Sequence, residues 1–228
     1  MFVSILGDSI STYENFQLPG YAVYYQDYYR QVNELTSVYD IWWAKVNQYL
    51  RAHICVNNAY SGSKVTGTAF PCACSEQRTG VLHTVSDRPD VILIYMGFND
   101  FGTGEPVWGK WYAPEQGITF YGCYRRMLRQ LKANEPQAKI VCATLMRGFV
   151  RGAQSSPFPE RFAGVPFEDY NAAIRKAAHR EGALLADLAA LNWRYETLDG
   201  THPTANGHQT LANAWIKCLA PLLGTNWP

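Results

Sequence analysis

The stretch Phe2-Val3-Ser4-Ile5-Leu6-Gly7-Asp8-Ser9-Ile10-Ser11 decides the fold. Residues 2–6 form a short apolar run, ended by a glycine, an acid and a serine. Such a run, with little polar alternation, suits a strand buried on both faces of a parallel sheet. The serine then sits on the turn at the strand's C-terminal end, the edge where open α/β sheets bind ligands. Ser9 is therefore a candidate nucleophile, with Gly7 expected to permit the turn. Taken alone, the same residues read more readily as a helix cap supplied by Asp8, Ser9 or Ser11.

The pattern recurs along the chain. Residues 54–57, 91–96, 140–144 and 184–186 are similar apolar runs bounded by Gly, Asn, Asp or Pro. Between them lie stretches with helical spacing. Trp42, Val46 and Tyr49 share a face of 41–50, and Tyr124, Met127, Leu128 and Leu131 share one of 121–133. Tyr170, Ile174 and Ala177 do the same in 167–181, before Gly182 as a stop, and Leu211, Trp215 and Leu219 in 204–219. Strand alternating with helix predicts an α/β sheet covered by helices on both faces. The 228 residues read as one domain, 1–228, without internal repeats. Three long connections, 11–40, 97–118 and 147–165, follow the first, third and fourth strands, and loops of that length are usually functional or disordered.

Composition narrows the partners. Hydrophobic residues make up 47% and charged residues 17%, enough for a packed core and too apolar for disorder. Lys and Arg number 20 against 19 Asp and Glu, so no basic footprint for nucleic acid exists. The longest apolar run, 91–96, is far below the ~20 residues that span a bilayer, so no membrane insertion is expected. No basic segment followed by an apolar one opens the chain. A cytoplasmic location with the six cysteines reduced is expected, or a secreted one if a leader has been removed.

Other loops carry the remaining chemistry. In Asp199-Gly200-Thr201-His202-Pro203 a carboxylate three residues before a histidine can fold back onto the imidazole, fixing its tautomer. A turn before a helix at Thr204 is the plainer reading. His53 abuts a strand, His83 and His179 lie in helical contexts, and His208 is the one serious rival base. Ser61-Gly62-Ser63 follows the second strand and Gly97-Phe98-Asn99-Asp100 the third. A glycine N–H and an asparagine NH₂ are both donors for an oxyanion. Each motif alone is a routine loop, but all fall along one edge of one sheet, as acyl transfer requires. Three decoys fail. Gly104–Lys110 has phosphate-loop spacing, but Trp111 stands where Ser or Thr is needed. Ser61-Gly62-Ser63-Lys64 lacks the partner motifs of penicillin-recognising enzymes. Cys72-Ala73-Cys74 is too tight for a paired-cysteine zinc site. There is also no Gly-x-Ser-x-Gly elbow of the larger α/β hydrolases.

In these blocks the sequence resembles the SGNH hydrolases, the GDSL-type esterases and lipases. Gly7-Asp8-Ser9-Ile10 matches the first block, with Ile10 where Leu is usual. Gly62 matches the second, Gly97-Phe98-Asn99-Asp100 the third and Asp199-Gly200-Thr201-His202-Pro203 the last, in the family's order. The resemblance implies a three-layer α/β/α, flavodoxin-like fold with a parallel five-stranded sheet of order 2-1-3-4-5. It implies Ser9 as nucleophile, His202 as general base and then acid, and Asp199 as its orienter. The oxyanion hole would come from the Ser9 and Gly62 backbone N–H groups and the Asn99 side chain, with Asp8 and Asp100 behind them.

The expected activity is serine esterase chemistry needing no metal or cofactor. Phe98, Phe101, Trp108, Trp111 and Tyr112 follow the third strand and are expected to wall the substrate pocket, with packing beneath the loop as the alternative for each. Aromatic walls stack on sugar rings, so short acyl groups, acetyl first, on carbohydrate or other small esters are the expected substrates. A lipase, lysophospholipase or thioesterase acting on longer chains is the alternative, and a catalytically silent binding module the alternative of another class.

Overall fold

The computed structural model describes residues 1–109, 118–153 and 158–224. Among the described residues the strands run in chain order as β1 (Phe2–Gly7), β2 (His53–Ala59), β3 (Val91–Tyr95), β4 (Lys139–Ala143), β5 (Arg147–Val150), β6 (Arg161–Phe162), β7 (Val165–Pro166), β8 (Leu184–Ala186) and β9 (Arg194–Thr197). The helices are α1 (Asp27–Val32), α2 (Trp42–Leu50), α3 (Glu76–Thr79), α4 (Phe98–Thr103), α5 (Phe120–Asn134), α6 (Phe167–Glu181) and α7 (Ala205–Leu223).

Five strands form the central sheet in the order β2-β1-β3-β4-β8, all parallel. This is the expected order 2-1-3-4-5, the fifth strand being β8 because three short strands intervene. All five residues of β3 are buried, the unbroken apolar run of a central strand. Order reverses at β1: the chain steps one way to β2 and the other way through β3, β4 and β8. Right-handed crossovers then send α2 to one face and α5 and α6 to the other. The packing agrees. α5 lies against α6, while α7 returns to α2, where the rings of Trp42 and Trp215 stack 5.0 Å apart.

Local chemistry sets the helix ends. Thr119 caps α5 by accepting the Gly122 N–H, and Thr204 caps α7 by accepting that of Gly207. Gly182 closes α6 in the left-handed region, as its position predicts. The structure departs from expectation in three places. β5 and β9 pair in parallel as a second small sheet, and β6 and β7 form a two-residue ladder. His83 lies in a loop, not in a helix, with Nδ1 against the Glu135 carboxylate. The six cysteines are all free thiols. Among the described residues no helix is long and apolar enough to cross a membrane.

Candidate active site

Ser9 opens a single 3₁₀ turn, Ser9–Ser11, directly after β1. Asp8 caps that turn, its Oδ1 accepting the Ile10 N–H at 3.0 Å. The two readings of this motif therefore coexist: the acid caps, and the serine projects. Gly7 is required for a different reason from the one expected. Its backbone is not in the left-handed region; a Cβ there would lie 2.5 Å from the Ser11 Cβ, so the turn folds back too closely for any side chain. Asp8 is fully buried, and burial pushes its pKa up to about 7, against the Ile10 N–H and the Arg78 guanidinium. Its Oδ2 has no hydrogen-bond partner among the described residues.

The Asp199–His202 loop hangs from β9. Thr197 Oγ1 accepts the Gly200 N–H and donates to Phe149 O on β5, while the Thr204 N–H returns to Glu196 O. The small β5–β9 sheet thus carries the loop to the rim of the main sheet. Asp199 folds back as an Asx turn, its Oδ1 accepting the N–H groups of Thr201 and His202 at 2.9 and 2.8 Å. Its Oδ2 lies 2.6 Å from His202 Nδ1. His202 Nε2 lies 2.9 Å from Ser9 Oγ, across 193 residues of sequence. With Nδ1–H donating to the carboxylate, Nε2 is left to accept the serine proton. Burial works against the Asp199 charge, but the hydrogen bond and charge of His202 and the two amides outweigh it and hold the carboxyl well below the usual range.

The loop after β2 supplies the other donors. Tyr60 N–H bonds Gly7 O at 3.1 Å, which docks this loop on the end of β1. Gly62 adopts φ +78°, a conformation costly for any residue with a Cβ. Neither its N–H nor that of Ser9 finds an acceptor among the described residues. Asn99, in the first turn of α4, uses one Nδ2 hydrogen on Ser63 O at 2.9 Å, leaving the second for a ligand. Asp100 is buried beside it and receives the Val65 and Thr66 N–H groups at 2.8 and 2.9 Å. Burial raises its pKa to about 6 despite those two bonds. Arg78, invisible in the sequence as a site residue, is buried and donates to Gly7 O, Asn58 O and Pro71 O, fastening the ends of β1 and β2 to the loop.

Several expected site residues lie elsewhere. Phe98 and Phe101 do not wall a pocket: they are buried, Phe101 packing on Phe158, Phe167 and Tyr170, and Phe98 on Phe167. Their spacing of three on α4 points both rings into the core. Trp108 is partly exposed but packs on Tyr121 beneath Lys176 Nζ. Trp111 and Tyr112 lie outside the described residues. His208 is no rival base. It is buried, its Nδ1 accepts the Trp42 N–H, and burial lowers its pKa to about 3. Lys64 pairs with Glu105.

The aromatic surface beside the triad comes instead from the tyrosine-rich 11–40 segment. Tyr24 lies flat on the His202 ring, centroids 3.5 Å apart and planes within 6°, and its hydroxyl donates to Asp199 Oδ2 at 3.3 Å. Tyr25 donates to Pro203 O at 2.9 Å. Tyr29 and Tyr28 continue outward from Tyr24 and are exposed. The only sequence signal was the density of tyrosines in a long loop after β1.

Comparison with known proteins speaks to family and fold. The family model for GDSL-like lipase/acylhydrolase matches residues 1–147. Among solved structures, a protein assigned as a GDSL-like lipase from Bacteroides ovatus superposes with a TM-score of 0.71 at 23% identity, over 97% of this chain and 98% of its own. A similarly assigned protein from Bacteroides uniformis gives 0.71 at 23%, over 96% and 95%. A carbohydrate acetylesterase family member from Sinorhizobium meliloti gives 0.61 at 17%, over 98% and 99%. No curated protein matches. At these identities the structures speak for the fold, and the family model covers Ser9, Gly62 and Asn99 but not Asp199 and His202. The chain belongs to the GDSL-like lipase/acylhydrolase family.

Proposed function

We propose that the protein is a serine esterase that hydrolyses short-acyl carboxylic esters, acetyl first, on carbohydrate or other small alcohols. The observation that carries this reading is the unbroken chain from Ser9 Oγ through His202 to Asp199, at 2.9 and 2.6 Å. Ser9 Oγ attacks the ester carbonyl as its proton passes to His202 Nε2, and the ionised Asp199 stabilises the imidazolium. Negative charge on the carbonyl oxygen is met by the N–H groups of Ser9 and Gly62 and the free Asn99 N–H. The C–O bond to the alcohol breaks, and His202 returns the proton to the leaving oxygen. Water then attacks the acyl-Ser9, giving its proton to the same imidazole, and the acid departs as Ser9 is regenerated.

Two observations support the substrate class. The exposed rings of Tyr28 and Tyr29 extend from the triad through Tyr24 and offer flat apolar faces, the surface a sugar ring stacks on. The Sinorhizobium meliloti fold neighbour belongs to a carbohydrate acetylesterase family, so the scaffold is compatible with that chemistry.

The test is a panel of aryl esters of increasing acyl length and acetylated sugars, run beside Ser9→Ala, with fluorophosphonate labelling. Acetate release by the wild type, none by Ser9→Ala and labelling at Ser9 are expected. Preference for long acyl chains without acetate release from sugars would replace the substrate class by a lipase or thioesterase. Folded protein that neither labels nor hydrolyses would be a binding module.

A further inference from the structure

We propose that Tyr24 is a positioning residue for the general base: it clamps the His202 imidazole by its face and stabilises the imidazolium formed at each proton transfer. This rests on the hydrolase reading above. Both edges of the His202 ring are engaged, Nδ1 by Asp199 and Nε2 by Ser9. Those bonds alone do not hold the ring throughout a cycle. Once Ser9 Oγ is acylated it can no longer donate to Nε2, and the imidazole must still point at the incoming water. The Asp199 bond to Nδ1 then holds one edge only, and the Tyr24 face, at 3.5 Å and within 6° of parallel, is the second contact that persists with it.

Tyr24 is itself fixed on every side. Its N–H donates to Thr12 Oγ1 at 2.9 Å, and that hydroxyl donates to Ser9 O at 2.9 Å, so the clamp is bolted to the nucleophile's own turn. Its hydroxyl donates to Asp199 Oδ2, the same oxygen that receives Nδ1–H. Its second face is covered by Tyr29, 4.7 Å away at 28°, and Tyr25 meets its edge at 88°. With both faces occupied, Tyr24 has no flat surface left for substrate and acts through His202. An electron-rich ring over an imidazole favours the charged form, as in other cation–π pairs. The hydroxyl opposes this slightly by sharing the Asp199 charge. The titratable groups facing His202 are Asp199 on its own loop, Tyr24 and Tyr25 from the 11–40 segment, and His208 on α7.

Tyr24→Phe keeps the ring and removes the hydroxyl, while Tyr24→Leu removes both; Tyr24→Met replaces Leu if that variant does not fold by circular dichroism. With an aryl acetate, Tyr24→Phe is expected within about threefold of wild-type kcat, and the ring-less variant roughly tenfold below Tyr24→Phe at nearly unchanged KM. The His202 C–H proton resonances, followed by NMR, should move downfield when the shielding ring is lost. A purely structural tyrosine would not separate Leu from Phe in kcat at constant KM. Equal kcat in Phe and Leu, or a loss confined to KM, overturns the proposal while leaving the esterase reading intact. Wild-type protein that neither labels at Ser9 nor hydrolyses esters removes that reading, and this one with it.

Discussion

Asp8 sits one residue before Ser9, fully buried, with one oxygen bonded to the Ile10 N–H and the other without a partner among the described residues. Replacing it by Asn keeps the bond through Oδ1 and removes the charge. The structure gives the size of the effect. Burial raises the folded pKa from 3.8 to about 7. A raised carboxyl pKa means the folded state holds its proton more tightly than the unfolded one. The stability this provides is complete below the unfolded value near 3.8 and is lost as pH rises through about 7. Wild type therefore loses on the order of 4 kcal/mol relative to Asp8→Asn across the full window, about 2.5 kcal/mol of it between pH 5 and 8. The new amide N–H groups add a constant cost of about 1–3 kcal/mol, the price of unbonded buried donors, which does not vary with pH. Urea melts of both proteins at pH 5, 6, 7 and 8 measure the difference directly. A gap constant in pH, or one in which wild type gains on the variant as pH rises, would refute the reasoning that Asp8 is a buried, poorly solvated acid.

His208 gives the opposite slope. Its folded pKa of about 3 lies below 6.5, so its stability is complete above 6.5 and is lost as pH falls. His208→Asn keeps an acceptor near the Trp42 N–H, and wild type should lose about 2 kcal/mol relative to it between pH 7 and 5 in the same melts. Asn99→Ala removes one oxyanion donor and should lower kcat by about 10²–10³ with little change in the melting midpoint, read with an aryl acetate and by thermal denaturation. A smaller loss of activity would place the developing charge away from α4.

The main sheet was legible because its strands are buried on both faces, and such strands write themselves as short apolar runs. Ser9, Asp199 and His202 were legible because each falls on a loop at the same sheet edge. The β5–β9 pair was not. Arg147-Gly148-Phe149-Val150 and Arg194-Tyr195-Glu196-Thr197 are four-residue strands whose pairing spans 47 residues, from Arg147 to Arg194, and nothing local marks it. For Phe98 and Phe101 the alternative of packing beneath the loop holds, because residue type does not separate core from pocket. Phe98 and Phe101 stand three apart on one helix face, which is core spacing, whereas Tyr24 earns its place by contact with a histidine 178 residues away that no local pattern encodes.

On the proposed reading, the same sheet edge lets three donors from three loops act together. An oxyanion hole accelerates acyl transfer only if its donors are in place before charge develops, since any reorganisation during the step subtracts from the gain. Gly62 lies on a loop, ordinarily the mobile part of a fold, yet this loop is tied at both ends. Tyr60 N–H holds it to the end of β1, beside Ser9. On its far side Asn99 reaches Ser63 O, and the two Asp100 oxygens hold the Val65 and Thr66 N–H groups. The helix that presents Asn99 Nδ2 therefore also fastens the loop that carries Gly62. Asp100 stays buried beneath them at the expense of its charge, with burial lifting its pKa to about 6 against the pull of two amides. A buried acid of that kind is costly as a stabilising device. Its place directly behind two of the three donors is accounted for if rigidity of the hole, and not stability of the chain, is what it supplies.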